Sequence, residues 1–179
     1  MQIEVDSLDE AGAPFAHSYA DAELDLEDER ARIAGETQIS GRAARKREQI
    51  RVQGALQTNV EVLCDRCLTP IETHVAIEFD VTYVPLAIDA SKEASELQDE
   101  EMSFSVYEGE AIDVDELVRE QVLLALPTRL LCREDCKGLC PTCGADLNRQ
   151  TCACKQREVD PRWAALAALK NNNGATSDE

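Results

Sequence analysis

Eight cysteines are the residues of this sequence best suited to chemistry. Six fall in one short stretch: Cys132, Cys136, Cys140, Cys143, Cys152 and Cys154. Around the middle pair the chain reads Leu139-Cys140-Pro141-Thr142-Cys143-Gly144. Two cysteines three apart can hold one ion from a tight turn. Gly144 lets that turn take a left-handed backbone and aim amide N–H groups at sulfur. This is half of a structural zinc site, and Cys64-Asp65-Arg66-Cys67 is a second candidate half. A closed zinc site needs four ligands. One pairing joins Cys140 and Cys143 with Cys152 and Cys154. Another joins Cys64 and Cys67 with Cys140 and Cys143, as in a ribbon. A third brings Cys132 or Cys136 into the tetrad. Eight cysteines also permit two full sites, and spacing leaves the choice open. Thiolates also hold iron–sulfur clusters, but the CPxCG turn is more typical of zinc.

Other chemistry has thinner support. A redox CxxC needs a βαβ setting and a helix N-terminus that depresses a thiol pKa. The histidines, His17 and His74, read as surface residues. There is no glycine-rich phosphate loop and no nucleophile elbow. The carboxylates come mostly in runs, the pattern of a solvated face. The expectation is therefore a protein that is not an enzyme.

The elements that must position the cysteines are mainly strands. From Ile50 to Cys64 the even positions are mostly apolar and the odd ones polar; from Ile71 to Tyr83 the odd positions form the apolar row. Period-2 runs of this length indicate antiparallel strands with one face on a core. Cys64-Asp65-Arg66-Cys67-Leu68-Thr69-Pro70 lies between them, which predicts a hairpin with CxxC at its turn. Weaker alternation at Glu36–Arg45 and Ala22–Leu26 suggests further strands. A helix is expected over 114–126. Asp113 caps it, Glu116 completes a capping-box pattern, Val114, Leu117, Val118, Val122 and Ala125 share a face, and Pro127 stops it. Asp160-Pro161 opens a short second helix.

The chain of 179 residues suits one ordinary domain with a small appendage. Its aromatic content of 4% requires an aliphatic core. Its net charge of −18 argues against a broad grip on nucleic acid and favours a basic protein partner. No apolar run is long enough to cross a membrane. The N-terminus lacks the pattern of a signal peptide, so a reducing cytoplasmic setting is expected, where paired cysteines serve metals rather than disulfides. Two acidic segments, 1–30 and 72–116, flank a basic stretch with Arg42, Arg45, Lys46, Arg47 and Arg51. On a continuous strand Arg45, Arg47 and Arg51 would share a face. Residues 85–103 read as an acidic loop.

The order of motifs resembles a known family. Cys64-Asp65-Arg66-Cys67-Leu68 is followed by an acidic insertion and a helix opening at Ile112-Asp113. Next come Cys136-Lys137-Gly138-Leu139-Cys140-Pro141-Thr142-Cys143-Gly144-Ala145-Asp146-Leu147-Asn148 and a closing Asp160-Pro161-Arg162-Trp163-Ala164-Ala165-Leu166. The sequence is similar in this respect to the YceD family, the large ribosomal RNA subunit accumulation proteins. The resemblance implies a non-enzymatic role in large ribosomal subunit biogenesis. It marks Cys64, Arg66, Cys67, Cys136, Cys140 and Cys143 as motif positions.

Together these readings give an α+β protein: an antiparallel sheet or partly closed β-barrel, one packing helix, and a C-terminal cysteine-rich zinc module. The expected divisions are a β-rich domain over 1–130, a zinc-binding module over 131–157, and a short helix and tail over 158–179. The expected partner is a large-subunit ribosomal protein or assembly intermediate, with ribosomal RNA contacted through a local patch of Arg42, Arg45, Lys46, Arg47, Arg51 and Arg66. The rival readings are a zinc-ribbon adaptor for a non-ribosomal protein and a thiol redox protein.

Overall fold

The computed structural model describes residues 1–86, 104–154, 162 and 166. Two units divide the chain, Met1–Glu134 and Asp135–Glu179.

The first unit contains β1 (Gln2–Glu4), β2 (Ala13–Tyr19), β3 (Ala31–Ile33), β4 (Thr37–Lys46), β5 (Gln49–Leu63), β6 (Pro70–Pro85), β7 (Phe104–Tyr107), β8 (Ala111–Asp113) and α1 (Val114–Ala125). The main sheet has the order β2-β4-β5-β6-β7, with β3 also on β5; β1 and β8 form a separate pair. Both sheets are open, so the barrel alternative does not apply. All pairings are antiparallel except β6–β7, which is parallel.

The two period-2 runs form the longest ladder, from Ile50↔Tyr83 to Leu63↔Pro70. Ile50, Val52, Leu56, Val60, Val75, Phe79 and Tyr83 are buried on its inner face. Burying a large apolar side chain contributes about 1.5–3 kcal/mol, so the alternation itself selects this register. Gly41 and Gly54 face each other on the inner row, and a Cβ at Gly54 would run into the Ser40 carbonyl. The rings of Phe15 and Phe79 close over these glycines. Thr37 and Thr58 are buried and share a hydrogen bond of 2.7 Å, which removes the desolvation cost of both hydroxyls.

The helix begins as expected. One Asp113 carboxylate oxygen accepts the N–H groups of Asp115 at 2.8 Å and Glu116 at 3.4 Å. Val114, Leu117, Val118 and Val122 are fully buried against the sheet core. A helix of 12 residues is marginal alone in water, so this packing holds it.

Two expectations change. Ala22–Leu26 is not a strand: Ala22 and Glu27 take left-handed φ values of 61° and 56°, which break extension, while Leu24 and Leu26 still reach the core. The basic stretch is not one strand either. Arg47 takes φ 59° in a turn that joins β4 to β5. The acidic loop beyond Leu86 lies outside the described residues. So does the helix expected at Asp160, apart from Arg162 and Leu166.

In the second unit, the described residues are held by turns rather than ladders. Leu139 and Asp146 form an isolated bridge, and Leu147 N–H donates to Gly138 O at 2.9 Å.

Candidate metal centres

Two groups of cysteine could hold a metal ion. The first grows from the β5–β6 hairpin. Its connection is Cys64–Thr69, between Leu63 and Pro70. Cys64 N–H donates to Thr69 O at 2.9 Å, and Leu68 N–H donates to Cys64 O at 3.0 Å. Both cysteines are buried, on a turn anchored on the longest ladder. Asp65 brings in the segment after α1: its N–H donates to Leu130 O at 3.0 Å, and its carboxylate accepts Leu130 N–H at 2.6 Å. Cys132 follows. Its N–H donates to Cys64 Sγ at 3.4 Å, and its Sγ lies 3.6 Å from that of Cys67. The sulfurs of Cys64, Cys67 and Cys132 lie within 4.8 Å of one another. Burial pushes the Cys64 thiol up, but the amides of Cys132, Arg66 and Cys67 outweigh it and bring the thiol down to about 6. The site thus favours a thiolate, the form that binds metal.

The second group lies wholly within the second unit. Cys140, Cys143, Cys152 and Cys154 place their sulfurs within 4.8 Å of one another. The turn repeats the first: Cys140 N–H donates to Ala145 O at 2.8 Å, and Gly144 N–H to Cys140 O at 2.9 Å. Gly144 has φ 72°, the left-handed conformation that this turn requires. Amides of Cys143 and Thr142 bring the Cys140 thiol down to about 6. A hydrogen bond to the Cys143 sulfur, and then burial, push the Cys154 thiol up to about 12. Four thiolates cannot crowd together without a cation, and a divalent ion would supply that charge. An all-sulfur donor set this close fits a thiophilic ion in a closed site.

Asn148 is a residue that the cysteine spacing did not single out. Its side-chain oxygen accepts Lys137 N–H at 2.8 Å, and its amide nitrogen donates to the buried Cys136 Sγ at 3.4 Å. Asp65 is another such residue. A polar residue within or just after a cysteine turn is the signal that could have found both.

The arginines of the basic stretch do not assemble as read. Arg42 and Arg51 lie on the outer face of the β4–β5 ladder, whereas Arg45 opposes the buried Ile50 and Arg47 is in the turn. Arg45, Arg47 and Arg51 therefore share no face. Arg42 donates to the carbonyls of Ala11 and Gly12, Arg45 pairs with Asp6 at 3.3 Å, and Arg51 pairs with Asp80. Lys46 is exposed at the end of β4, and Arg66 is exposed at the tip of the first cysteine turn. His74 bonds Asn59 at 3.0 Å, and His17 sits edge-on to Tyr19. Among the described residues no helix is long and apolar enough to cross a membrane.

A family profile described as "Large ribosomal RNA subunit accumulation protein YceD" matches residues 52–170. An uncharacterized protein of Mycobacterium tuberculosis is 31% identical over 124 residues, covering 68% of this chain and 56% of its own length. The chloroplastic "Large ribosomal RNA subunit accumulation protein YCED homolog 1" of Arabidopsis thaliana is 26% identical over 154 residues, 74% of this chain and 48% of its own. An uncharacterized protein of Bacillus subtilis is 28% identical over 132 residues, 73% of this chain and 72% of its own. The chain thus spans about half the length of the mycobacterial and plant relatives. No solved structure matches. The matched region takes in both cysteine turns, the capped helix and the Asp160-Pro161 segment, and on that ground the chain belongs to the YceD family.

Proposed function

We propose that the protein is a non-enzymatic factor in large ribosomal subunit biogenesis, needed for accumulation of its ribosomal RNA, and that it acts by binding a ribosomal protein or a precursor particle in the cytoplasm. The observation that carries this reading is the family match over residues 52–170. The sites agree with a binding role. Closed sets of thiols are the pattern of structural metal centres, which leave no position open for substrate.

Zinc is the proposed ion. It suits all-thiolate sites and has no redox chemistry. Cys140, Cys143, Cys152 and Cys154 would hold one ion. Cys64, Cys67 and Cys132 would hold another. The metal would supply folding energy to a segment with little core. The charge distribution favours a basic protein over bare RNA as the main contact. The net charge is −18, and Arg42, Arg45 and Arg51 are engaged within the fold.

Depletion with gradient profiling of ribosomal particles tests the reading. The expected result is selective loss of large-subunit ribosomal RNA and of mature large subunits. An unchanged ratio of the two subunits under depletion would overturn it.

A further inference from the structure

A pocket of about 430 Å³ opens in the first unit, beside the parallel β6–β7 pair and the first half of α1. Its wall includes Tyr83, Tyr107, Glu108, Asp113, Glu116 and Glu120. No Lys, Arg or His is in that lining. Four acidic residues thus line it, and no cation stands among the described lining residues; Asp113 is already engaged as the helix cap. Burial and then the neighbouring Glu116 hold the Glu120 carboxyl above its usual range.

The second observation is Tyr83. It is 7% exposed, and its hydroxyl makes no hydrogen bond among the described residues. Among the described residues no sealed side-chain oxygen or nitrogen lacks a partner, so this hydroxyl opens onto the pocket that its residue lines. Burial pushes its phenol upward, and the charges of Glu120, Glu116 and Asp113 add to that. It stays a neutral hydroxyl, able to donate or accept.

We propose that this pocket takes an arginine side chain from a basic segment of a partner protein. A small metal ion fits less well: no three ligand oxygens of this cluster lie as close together as the sulfurs of the cysteine groups do. A guanidinium is larger and planar, spreads its charge over several donors, and packs against aromatic rings. Spaced carboxylates, two phenol rings and one unpartnered hydroxyl match that shape. The pocket size lies within the range of ordinary ligand clefts. This deepens the binding role proposed above and rests on that reading only for the ribosomal origin of the partner.

The test is a titration of the full chain with a short fluorescein-labelled peptide of glycine, serine and arginine, read by anisotropy. A lysine peptide and a magnesium salt serve as competing probes. Glu116→Gln with Glu120→Gln should weaken the arginine peptide by at least about tenfold, since the loss of even one charge-assisted hydrogen bond has that effect. Glu72→Gln with Glu78→Gln removes the same charge from the outer face of β6 and should leave affinity within about twofold, as screened surface charges act weakly. Equal losses from the two double variants would overturn the pocket, because they would report bulk charge alone. Magnesium displacing the peptide, or the lysine peptide binding as tightly, would overturn the guanidinium. Should a double variant unfold, amide resonances of Tyr83, Tyr107 and Glu116 in the unmodified protein give the answer; their failure to shift on titration counts against the site. Variants that lose the peptide yet restore large-subunit RNA in depleted cells would uphold the pocket and detach it from the ribosomal role.

Discussion

At Cys64–Leu68 and at Cys140–Gly144 the backbone makes the same turn. The first cysteine accepts the N–H four residues on, at 3.0 Å in one and 2.9 Å in the other. The last residue is left-handed in both, φ 57° for Leu68 and 72° for Gly144. The surroundings differ. The first turn ends a ladder of long strands, and Cys64 and Cys67 are buried. The second rests on an isolated bridge and loop hydrogen bonds, and Cys143 and Cys154 are exposed. A ligand turn on a sheet inherits order from the sheet. The same turn in a loop segment must draw its order from the ion. The difference therefore predicts unequal dependence on metal.

The largest effect should come from Cys140→Ser together with Cys143→Ser. It should release one metal equivalent and abolish amide protection over residues 135–154, because structural metal binding is worth on the order of 10 kcal/mol to such a segment. Hydrogen exchange of β5 and β6 should stay unchanged. Equal loss in the sheet would break the comparison. Next is Cys64→Ser, which should lose the other equivalent but keep the sheet. A penalty of about 2 kcal/mol would lower Tm by roughly 4–8 °C, read by calorimetry on the metal-loaded protein.

The left-handed residues sharpen the contrast with opposite signs. Gly144→Ala should destabilise the second unit by about 1 kcal/mol, since a Cβ is disfavoured at that φ. Leu68→Gly should stabilise the first by about 0.5 kcal/mol, the strain relieved less the added freedom of the unfolded chain. Leu68 is 56% exposed, so little packing is lost with its side chain. Denaturant midpoints at fixed zinc measure both. A loss of stability in Leu68→Gly would show that the leucine is held there by packing after all.

Much of the sheet was legible because its signals are local. Alternation from Ile50 and Ile71 marks faces, and Asp113 and Pro127 mark the ends of a helix, whatever lies elsewhere in the chain. Shorter elements were not legible. β1, β3 and β8 have three residues each, too few for a period, and exist only through their pairing. Ala22–Leu26 shows the opposite error, an apolar pattern made by a bent loop that reaches the core.

At the cysteine sites, the sequence determined that thiols come in turns able to bind metal, since CxxC spacing is a property of the local chain. It could not decide which turn joins which cysteine. Cys132 reaches Cys67 across 65 residues because Asp65 hydrogen-bonds Leu130, a contact with no trace in spacing. Asp113, Glu116 and Glu120 share a helix face by their spacing alone, but only the fold brings Tyr83 beside them. Local periodicity and caps are written in neighbouring residues. Clusters are set by strand register and by where the chain returns, and those are decided only when the core closes.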